Sequence, residues 1–190
     1  MDLRVVILPV GRVEPAEVEA VAGRLAKVFH HEIETRAALP APKEGHDPTR
    51  GQHLAGPFLA ALRGALPRAA PVKPAASGAP DVAVFVTDVD LYRPQTEGVL
   101  GEIDPPGRAA VISVRRLREA FYKRKADPVR QRARLTKMAL YAIGRIRGLP
   151  DCRDVQCAMA TMTALADLDA RGEKYCAACW RRLSTGAFRI

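Results

Sequence analysis

All four cysteines of the chain lie in its last quarter, and their spacing constrains the fold more than any other feature. They form the pattern Cys-x4-Cys-x18-Cys-x2-Cys. Two close pairs joined by a short segment can bring four thiolates around one ion, and zinc favours this tetrahedral sulfur set. A closed four-cysteine shell leaves no open position for water, so the predicted zinc is structural. The predicted ligands are Cys152, Cys157, Cys176 and Cys179.

Two other interpretations of these cysteines stay open. The four thiols could be unrelated buried side chains, but two pairs at ligand spacing with no other cysteine in the chain favour a metal. A redox role for Cys176 and Cys179 is the weaker alternative, because a Cys-x-x-Cys motif acts at the start of a helix in a thioredoxin-like unit. Clustered cysteines in a cytosolic chain indicate a metal site first, since disulfides are rare there.

Composition predicts one cytoplasmic domain with a sizeable core. The 190 residues are 48% apolar, and no run of 18 apolar residues suggests a membrane span. The opening MDLRVVILPVGRVEP suits a first strand better than a signal peptide. The absence of Asn and the 15 prolines are typical of thermophile proteins. The net charge of +9 is spread along the chain without a long basic block, which favours a charged surface over nucleic-acid binding.

Hydrophobic periodicity predicts an α/β domain followed by a small cysteine-held C-terminal portion. The most strongly supported strand is DVAVFVT, which is apolar on both faces and therefore central. The Pro- and Gly-rich residues 39–53 are predicted to form a loop, and 67–80 a linker. Strands are predicted at 3–10, 31–36, 81–87, 98–103 and 108–114, and helices at 14–29, 58–66, 115–122, 128–147, 163–170 and after 176.

The C-terminal motif resembles that of the archaemetzincins, a family of metzincin-type zinc peptidases. Family members carry His-Glu-x-x-His-x-x-Gly, three residues, Cys-x4-Cys-x-Met, and a distal Cys-x-x-Cys. Gly148, the four cysteines and Met159 match this order and spacing. Upstream, the segments DPTRGQH, VTDVDLY and GRAAVISVRRLR also resemble family blocks, so the resemblance covers nearly the whole chain.

The resemblance implies a metzincin-like α/β fold. Its expected parts are a mixed twisted sheet, an edge strand at 98–103 that borders the cleft, and a long active-site helix. It also implies an N-terminal part, 1–148, and a C-terminal zinc-held part, 149–190, within one compact domain.

The positions that hold the catalytic set of this family are all changed in this chain. Counted from Gly148, the two histidines, the glutamate and the third ligand fall on Tyr141, Arg145, Ala142 and Asp151. Arg145 stays protonated and offers a positive charge where a cation should bind. Ala142 cannot accept a proton from an attacking water. The sequence therefore predicts one structural zinc, no second catalytic ion and no zinc-dependent hydrolysis.

The four histidines offer the only material for a rebuilt catalytic site. They are His30, His31, His46 and His53, all in the N-terminal third. His30 and His31 are adjacent and would point to opposite faces of a strand. The other two lie in or near the Pro- and Gly-rich loop. Ordinary surface or hydrogen-bonded histidines are the favoured interpretation.

Met159 and the pair Asp88 and Asp90 each have two interpretations. Met159 matches the methionine turn beneath the zinc site of the family, or it is a core residue that fills a gap; both bury it. The two aspartates could bind a hard cation, but turn formation and hydrogen bonding to the backbone are favoured. By resemblance, their segment shapes the loop before the edge strand.

Three functions follow from these observations. The favoured one is a family member with a degenerate catalytic site, whose cleft binds a peptide by strand addition near 98–103 and whose Arg145 and Tyr141 select an acidic or carboxylate group. The first alternative is an active zinc peptidase with a displaced metal site. The second is a basic nucleic-acid-binding zinc module, which the scarcity of aromatic residues near basic ones disfavours.

Overall fold

The structure, a computed structural model, describes residues 3–66 and 81–185. These ranges hold eight strands and five α-helices. The strands are β1 Val5–Val10, β2 Glu34–Thr35, β3 His46–Asp47, β4 Gln52–Leu54, β5 Val82–Thr87, β6 Leu91–Tyr92, β7 Gly101–Asp104 and β8 Ala109–Ser113. The helices are α1 Pro15–Phe29, α2 Ala55–Gly64, α3 Pro128–Ile146, α4 Leu165–Ala170 and α5 Ala177–Thr185.

The main sheet has five strands in the order β2-β1-β5-β8-β7. The first four are parallel, and β7 is antiparallel to β8 at one edge. This arrangement confirms the predicted mixed sheet with an edge strand. Every residue of β1, β5 and β8 is buried, as expected of parallel strands covered on both faces.

Alternate residues of the central strands belong to two different cores. Ile7 and Val84 pack with α1, α3 and the C-terminal segment. Leu8 and Phe85 pack with α2 on the opposite face of the sheet. Residues on both sides of position 148 share the first of these cores, because Met159, Leu168 and Leu183 pack into it. The division at 148 stays a prediction.

Helix α3 begins and ends where local chemistry requires. Its first residue is Pro128, whose fixed φ suits the first turn. The Asp127 carboxylate accepts a 2.9 Å hydrogen bond from the backbone N–H of Arg130 and so caps the helix. The chain leaves the helix at Gly148, whose φ of +84° is in the left-handed region that favours glycine.

Two predicted elements were wrong. The loop predicted at 39–53 contains β3 and most of β4, which form a second, three-stranded sheet with β6 in the order β3-β4-β6. The Asp47 carboxylate closes the intervening turn by accepting hydrogen bonds from the N–H and hydroxyl of Thr49 at 3.0 and 2.6 Å. The helix predicted at 115–122 is two short 3₁₀ turns instead. The backbone of Arg118 is extended (φ −78°, ψ 133°) and separates the two turns, and the buried Arg134 guanidinium donates a 2.8 Å hydrogen bond to the Leu117 carbonyl just before this break.

Two further predictions have different outcomes. Strand β7 starts three residues later than predicted, because Val99 pairs with Leu91 of the second sheet instead. The predicted linker, 67–80, lies outside the described residues. No helix in the described part of the chain is both long and apolar enough to cross a membrane.

Candidate functional site

The four cysteines form one compact cluster. Their sulfur atoms all lie within 4.8 Å of one another, and the sulfurs of Cys152 and Cys176 are 3.8 Å apart. Zinc bound at about 2.3 Å to four tetrahedral sulfurs would separate them by about 3.8 Å. The residues therefore fit a structural zinc. Cys152 follows α3, Cys157 lies in the next turn, and Cys176 and Cys179 lie around the start of α5.

Backbone groups support the cluster. The N–H groups of Met159 and Cys176 donate to the Cys157 sulfur at 3.4 and 3.3 Å, an arrangement that favours thiolate. Burial raises the pKa of the Cys157 and Cys179 thiols. Metal binding must therefore displace protons, as it does in other thiolate zinc sites.

Three of the four positions that the resemblance assigns to the catalytic set meet at one point. The Tyr141 hydroxyl donates a 2.8 Å hydrogen bond to the Asp151 carboxylate. The Arg145 guanidinium lies 3.7 Å from the same oxygen. Burial, followed by the hydrogen bond and charge of Asp151, raises the pKa of Tyr141, so the phenol stays neutral. The fourth position, Ala142, is buried and offers only a methyl group. These positions therefore bring a phenol, a carboxylate and a fixed cation together.

A cleft of about 540 Å³ runs beside this cluster, between α3 and the edge strand β7. Tyr141 and Arg145 line it together with apolar side chains such as Leu100, Ile103 and Met138. A side chain at Gly101 would collide with the Val111 carbonyl, so glycine lets β7 approach β8 closely. Among the described strands, β7 pairs only with β8, and its other edge is unpaired. The cleft therefore combines an apolar wall, a cation and a free strand edge.

Met159 is fully buried beneath the helix that carries Tyr141. A Cβ on Gly144 of α3 would collide with the Met159 sulfur, so the two segments are in direct contact. Cys152 pairs through its backbone with Met159 and Ala160, so the turn is continuous with the cysteine cluster. This placement agrees with both interpretations of Met159.

Sequence reasoning missed one residue of the site, Arg171. Its side chain is buried, and its guanidinium lies 5.1 Å from the centre of the Tyr141 ring. One terminal nitrogen, Nη1, donates to the Ala158 carbonyl at 3.1 Å. Burial lowers the pKa of Arg171, although neighbouring anionic groups such as Asp151 act in the opposite direction. Arg171 belongs to no sequence motif, so nothing in the sequence distinguishes it from the many other arginines of the chain.

The histidines lie outside the cleft wall. His30 ends α1 in the left-handed conformation (φ 59°), so the expectation that His30 and His31 alternate on a strand was wrong. His46 and His53 face each other across β3 and β4, with ring centres 4.8 Å apart. Burial, and then the charge of His46, lowers the pKa of His53. In the described ranges, the cysteine cluster is the only group of three or more His, Cys, Asp or Glu placed to hold a metal.

Asp88 and Asp90 have separate partners. Asp88 accepts the backbone N–H of Arg12 at 3.1 Å. Arg116 binds Asp90 through two nitrogens, at 2.6 and 2.9 Å, and also donates to the Glu97 carbonyl at 2.9 Å. Asp90 thereby holds the loop that leads to β7, which agrees with the hydrogen-bonding interpretation.

Comparison with known proteins gives consistent matches along the chain. A family model described as Peptidase family M54 matches residues 80–185. The archaemetzincin of Methanocaldococcus jannaschii is 28% identical over 183 residues, which cover 96% of this chain and 94% of that protein. The crystal structure of a zinc-dependent peptidase from Methanocorpusculum labreanum superposes with a TM-score of 0.80 at 25% identity, covering 94% of this chain and 99% of that chain. The crystal structure of archaemetzincin from Archaeoglobus fulgidus in complex with malonate superposes with a TM-score of 0.73 at 27% identity, covering 95% of this chain and 99% of that chain.

Proposed function

The chain belongs to peptidase family M54, and we propose that it binds peptide segments in its cleft without hydrolysing them. The observation that carries this proposal is the cluster of Tyr141, Asp151 and Arg145. We also propose a cytoplasmic location, because free thiols gathered for a metal suit a reducing compartment.

The chemistry at the changed positions argues against hydrolysis. A hydrolytic zinc needs neutral imidazole or carboxylate ligands and one open position for water. At this point the chain offers one carboxylate, Asp151, which is already engaged by a phenol and a guanidinium. Arg145 would repel a divalent cation, and Ala142 leaves the general base missing. The zinc of this chain would therefore be the structural ion held by the cysteines.

The same features suit an extended ligand that ends in a carboxylate. The free edge of β7 can pair with an added strand, whose main-chain hydrogen bonds supply affinity. Apolar side chains of the cleft can receive alternate side chains of that strand. Arg145 provides a positive charge at the cleft wall for the carboxylate. The malonate complex of the Archaeoglobus fulgidus relative supports testing carboxylates as ligands.

We expect no chelator-sensitive hydrolysis and one zinc per chain. The test incubates a quenched fluorescent peptide with the purified protein, with and without a chelator, and measures zinc by atomic emission. A matched variant restores the two histidines and the glutamate of the family through Tyr141→His, Ala142→Glu and Arg145→His, and keeps the Asp151 carboxylate as the third ligand. This variant should bind a second zinc, because two imidazoles at i and i+4 again share one helix face. Chelator-sensitive cleavage or two zinc ions in the unmodified protein would support the active-peptidase alternative instead.

We expect Arg145→Ala to weaken binding of peptides with a free C-terminal carboxylate by about three- to tenfold, because a partly exposed charge pair contributes only about 1 kcal/mol. Peptides that end in an amide should bind both proteins alike. Arg153→Ala removes an equal charge from an exposed position beyond the helix and serves as the control. Calorimetric titration of the three proteins with the two peptides measures all six affinities, and equal binding of the free acid by the Arg145→Ala variant would contradict the proposed role of Arg145.

A further inference from the structure

Three arginines in this protein bind a carboxylate in the same way. Each uses Nε and Nη2, the two donors on one edge of the guanidinium, to hold both oxygens of an acidic side chain. The distances for the two donors are 2.7 and 3.1 Å in Arg93–Glu102, 2.6 and 2.9 Å in Arg116–Asp90, and 2.7 and 2.6 Å in Arg134–Asp169. This two-point geometry is the strongest and most specific that arginine offers to a carboxylate.

Arg171 presents the same edge, and no residue that the structure describes pairs with it. Its Nη1 is engaged by the Ala158 carbonyl, whereas Nε and Nη2 are both buried and lack a hydrogen-bond partner among the described residues. Buried donors are nearly always paired, and leaving a charged one unpaired is costly. The side chain is 2% exposed, so bulk water cannot compensate. The unpaired edge therefore needs an explanation.

The two nearby carboxylates bind other groups, each through one oxygen, and neither is hydrogen-bonded to Nε or Nη2 of Arg171. The Asp167 carboxylate accepts hydrogen bonds from the N–H and hydroxyl of Thr163 and from the N–H of Ala164, at 2.8, 2.8 and 2.9 Å. Asp151 accepts the Tyr141 hydroxyl and lies beside Arg145. Both acids act on Arg171 through charge alone.

Tyr141 connects this edge to the cleft. Its ring contacts the guanidinium of Arg171, and its side chain also lines the cleft wall. Arg171 itself does not reach that wall. Rotation of Tyr141 away from Asp151 would break a single hydrogen bond and open a route from the cleft to the guanidinium. A two-point charged contact is the strongest that arginine makes with a carboxylate, and it would offset the loss of this one hydrogen bond.

We propose that Nε and Nη2 of Arg171 form the receptor for a carboxylate that enters from the cleft when Tyr141 rotates. This inference rests on the proposed function and assigns its ligand group to a specific buried edge. A carboxylate matches the edge in shape, and its single negative charge neutralises one guanidinium. A phosphate dianion would bring a second negative charge into a buried site beside Asp151, and one guanidinium would leave that charge unneutralised. A divalent cation would be repelled by Arg171 and Arg145.

The test titrates the whole protein with three probes: an N-acetylated tetrapeptide with a free C-terminal carboxylate, the same peptide as its C-terminal amide, and acetate. We expect Arg171→Lys to bind the free acid at least about tenfold more weakly, because lysine keeps the charge but loses the two-point geometry. Tyr141→Phe should bind the free acid more tightly, since it removes the bond that holds the ring against Asp151. Zinc content and the thermal midpoint show whether each variant is folded.

A second measurement does not depend on any variant. The Nε–H resonance of Arg171 in ¹⁵N-labelled protein should shift on titration with the free acid and with acetate, and not with the amide. Peptide binding that is the same in Arg171→Lys and leaves this resonance unmoved would overturn the inference and leave the proposed function standing. Acetate binding at Arg171 without any peptide binding would support the inference and contradict the proposed function. Absence of binding by both carboxylate probes would overturn the inference outright.

Discussion

Replacement of Cys157 by serine is expected to abolish zinc binding and lower the thermal midpoint by more than about 10 °C. Cys157 is the ligand whose sulfur also accepts two backbone N–H groups, so its loss removes both a zinc bond and an organising centre of the turn. Structural zinc supplies on the order of 10 kcal/mol to folding in small zinc modules. Losing about half of this energy would lower the thermal midpoint of a chain of this size by more than about 10 °C. Atomic emission and thermal unfolding measure the two effects.

Met159→Leu is the matched control for this prediction. It changes another buried, sulfur-containing side chain in the same turn, two residues away, but one that is no ligand in the proposed site. A volume-conserving swap of this kind usually costs less than about 1.5 kcal/mol. The variant should therefore retain its zinc and unfold within a few degrees of the unmodified protein. A folded, zinc-loaded Cys157→Ser variant would show that three thiolates suffice, or that the cysteines are not the ligands.

Replacement of Arg134 by methionine is expected to destabilise the protein by about 3 kcal/mol. The Arg134 side chain is 1% exposed and links three segments: it binds Asp169 at 2.6 and 2.7 Å, Glu119 at 2.7 Å and the Leu117 carbonyl at 2.8 Å. Removing one member of a buried ion pair leaves its partners uncompensated, which is far more costly than losing a surface pair. The free energy of unfolding in urea measures the effect.

Arg130→Met provides the comparison on the same helix. Arg130 also faces Glu119, but at 3.6 Å and with its side chain 52% exposed. Exposed pairs contribute at most about 1 kcal/mol. A loss of stability in Arg130→Met equal to that in Arg134→Met would contradict the special role of the buried residue.

The ion pair between Arg134 and Asp169 predicts a pH dependence of the free energy of unfolding. Hydrogen bonds from Arg134 are the largest influence on Asp169 and lower its pKa. A lowered pKa in the folded state contributes stability that is present above the ordinary carboxyl pKa of about 4 and is lost as the pH falls through the folded value. The free energy of unfolding should therefore fall more steeply below about pH 4 in the unmodified protein than in Arg134→Met.

Local patterns predicted the features that depend on few neighbours. Continuous apolar runs predicted the buried strands β1, β5 and β8, since a parallel strand covered on both faces has no polar side. Proline and glycine marked the limits of α3, because their backbone preferences act within one or two residues. The cysteine spacing predicted the cluster that the structure contains, since metal ligands must lie close in sequence within each pair.

Features that depend on distant contacts could not be predicted in this way. The segment 115–122 has a helical composition, but its backbone is extended at Arg118, next to the carbonyl that accepts a hydrogen bond from Arg134 of α3, and only two 3₁₀ turns form. The strands β3, β4 and β6 are only two or three residues long, too short for a period to be visible, and they exist because they pair with one another. Tertiary hydrogen bonds outweigh local preference at both places.

The sequence by itself determined the family, the pairwise spacing of the cysteines and the residue types at positions 141, 142, 145 and 151, because each follows from residue identity at a fixed spacing. Only the tertiary structure decided what took their place. It brought Asp151 to Tyr141, and it placed Arg171, which is thirty residues after Tyr141, against the same ring with two donors that no described residue pairs. The reason is physical: a buried charge acquires its role from the groups that surround it, and those groups come together only when the chain folds.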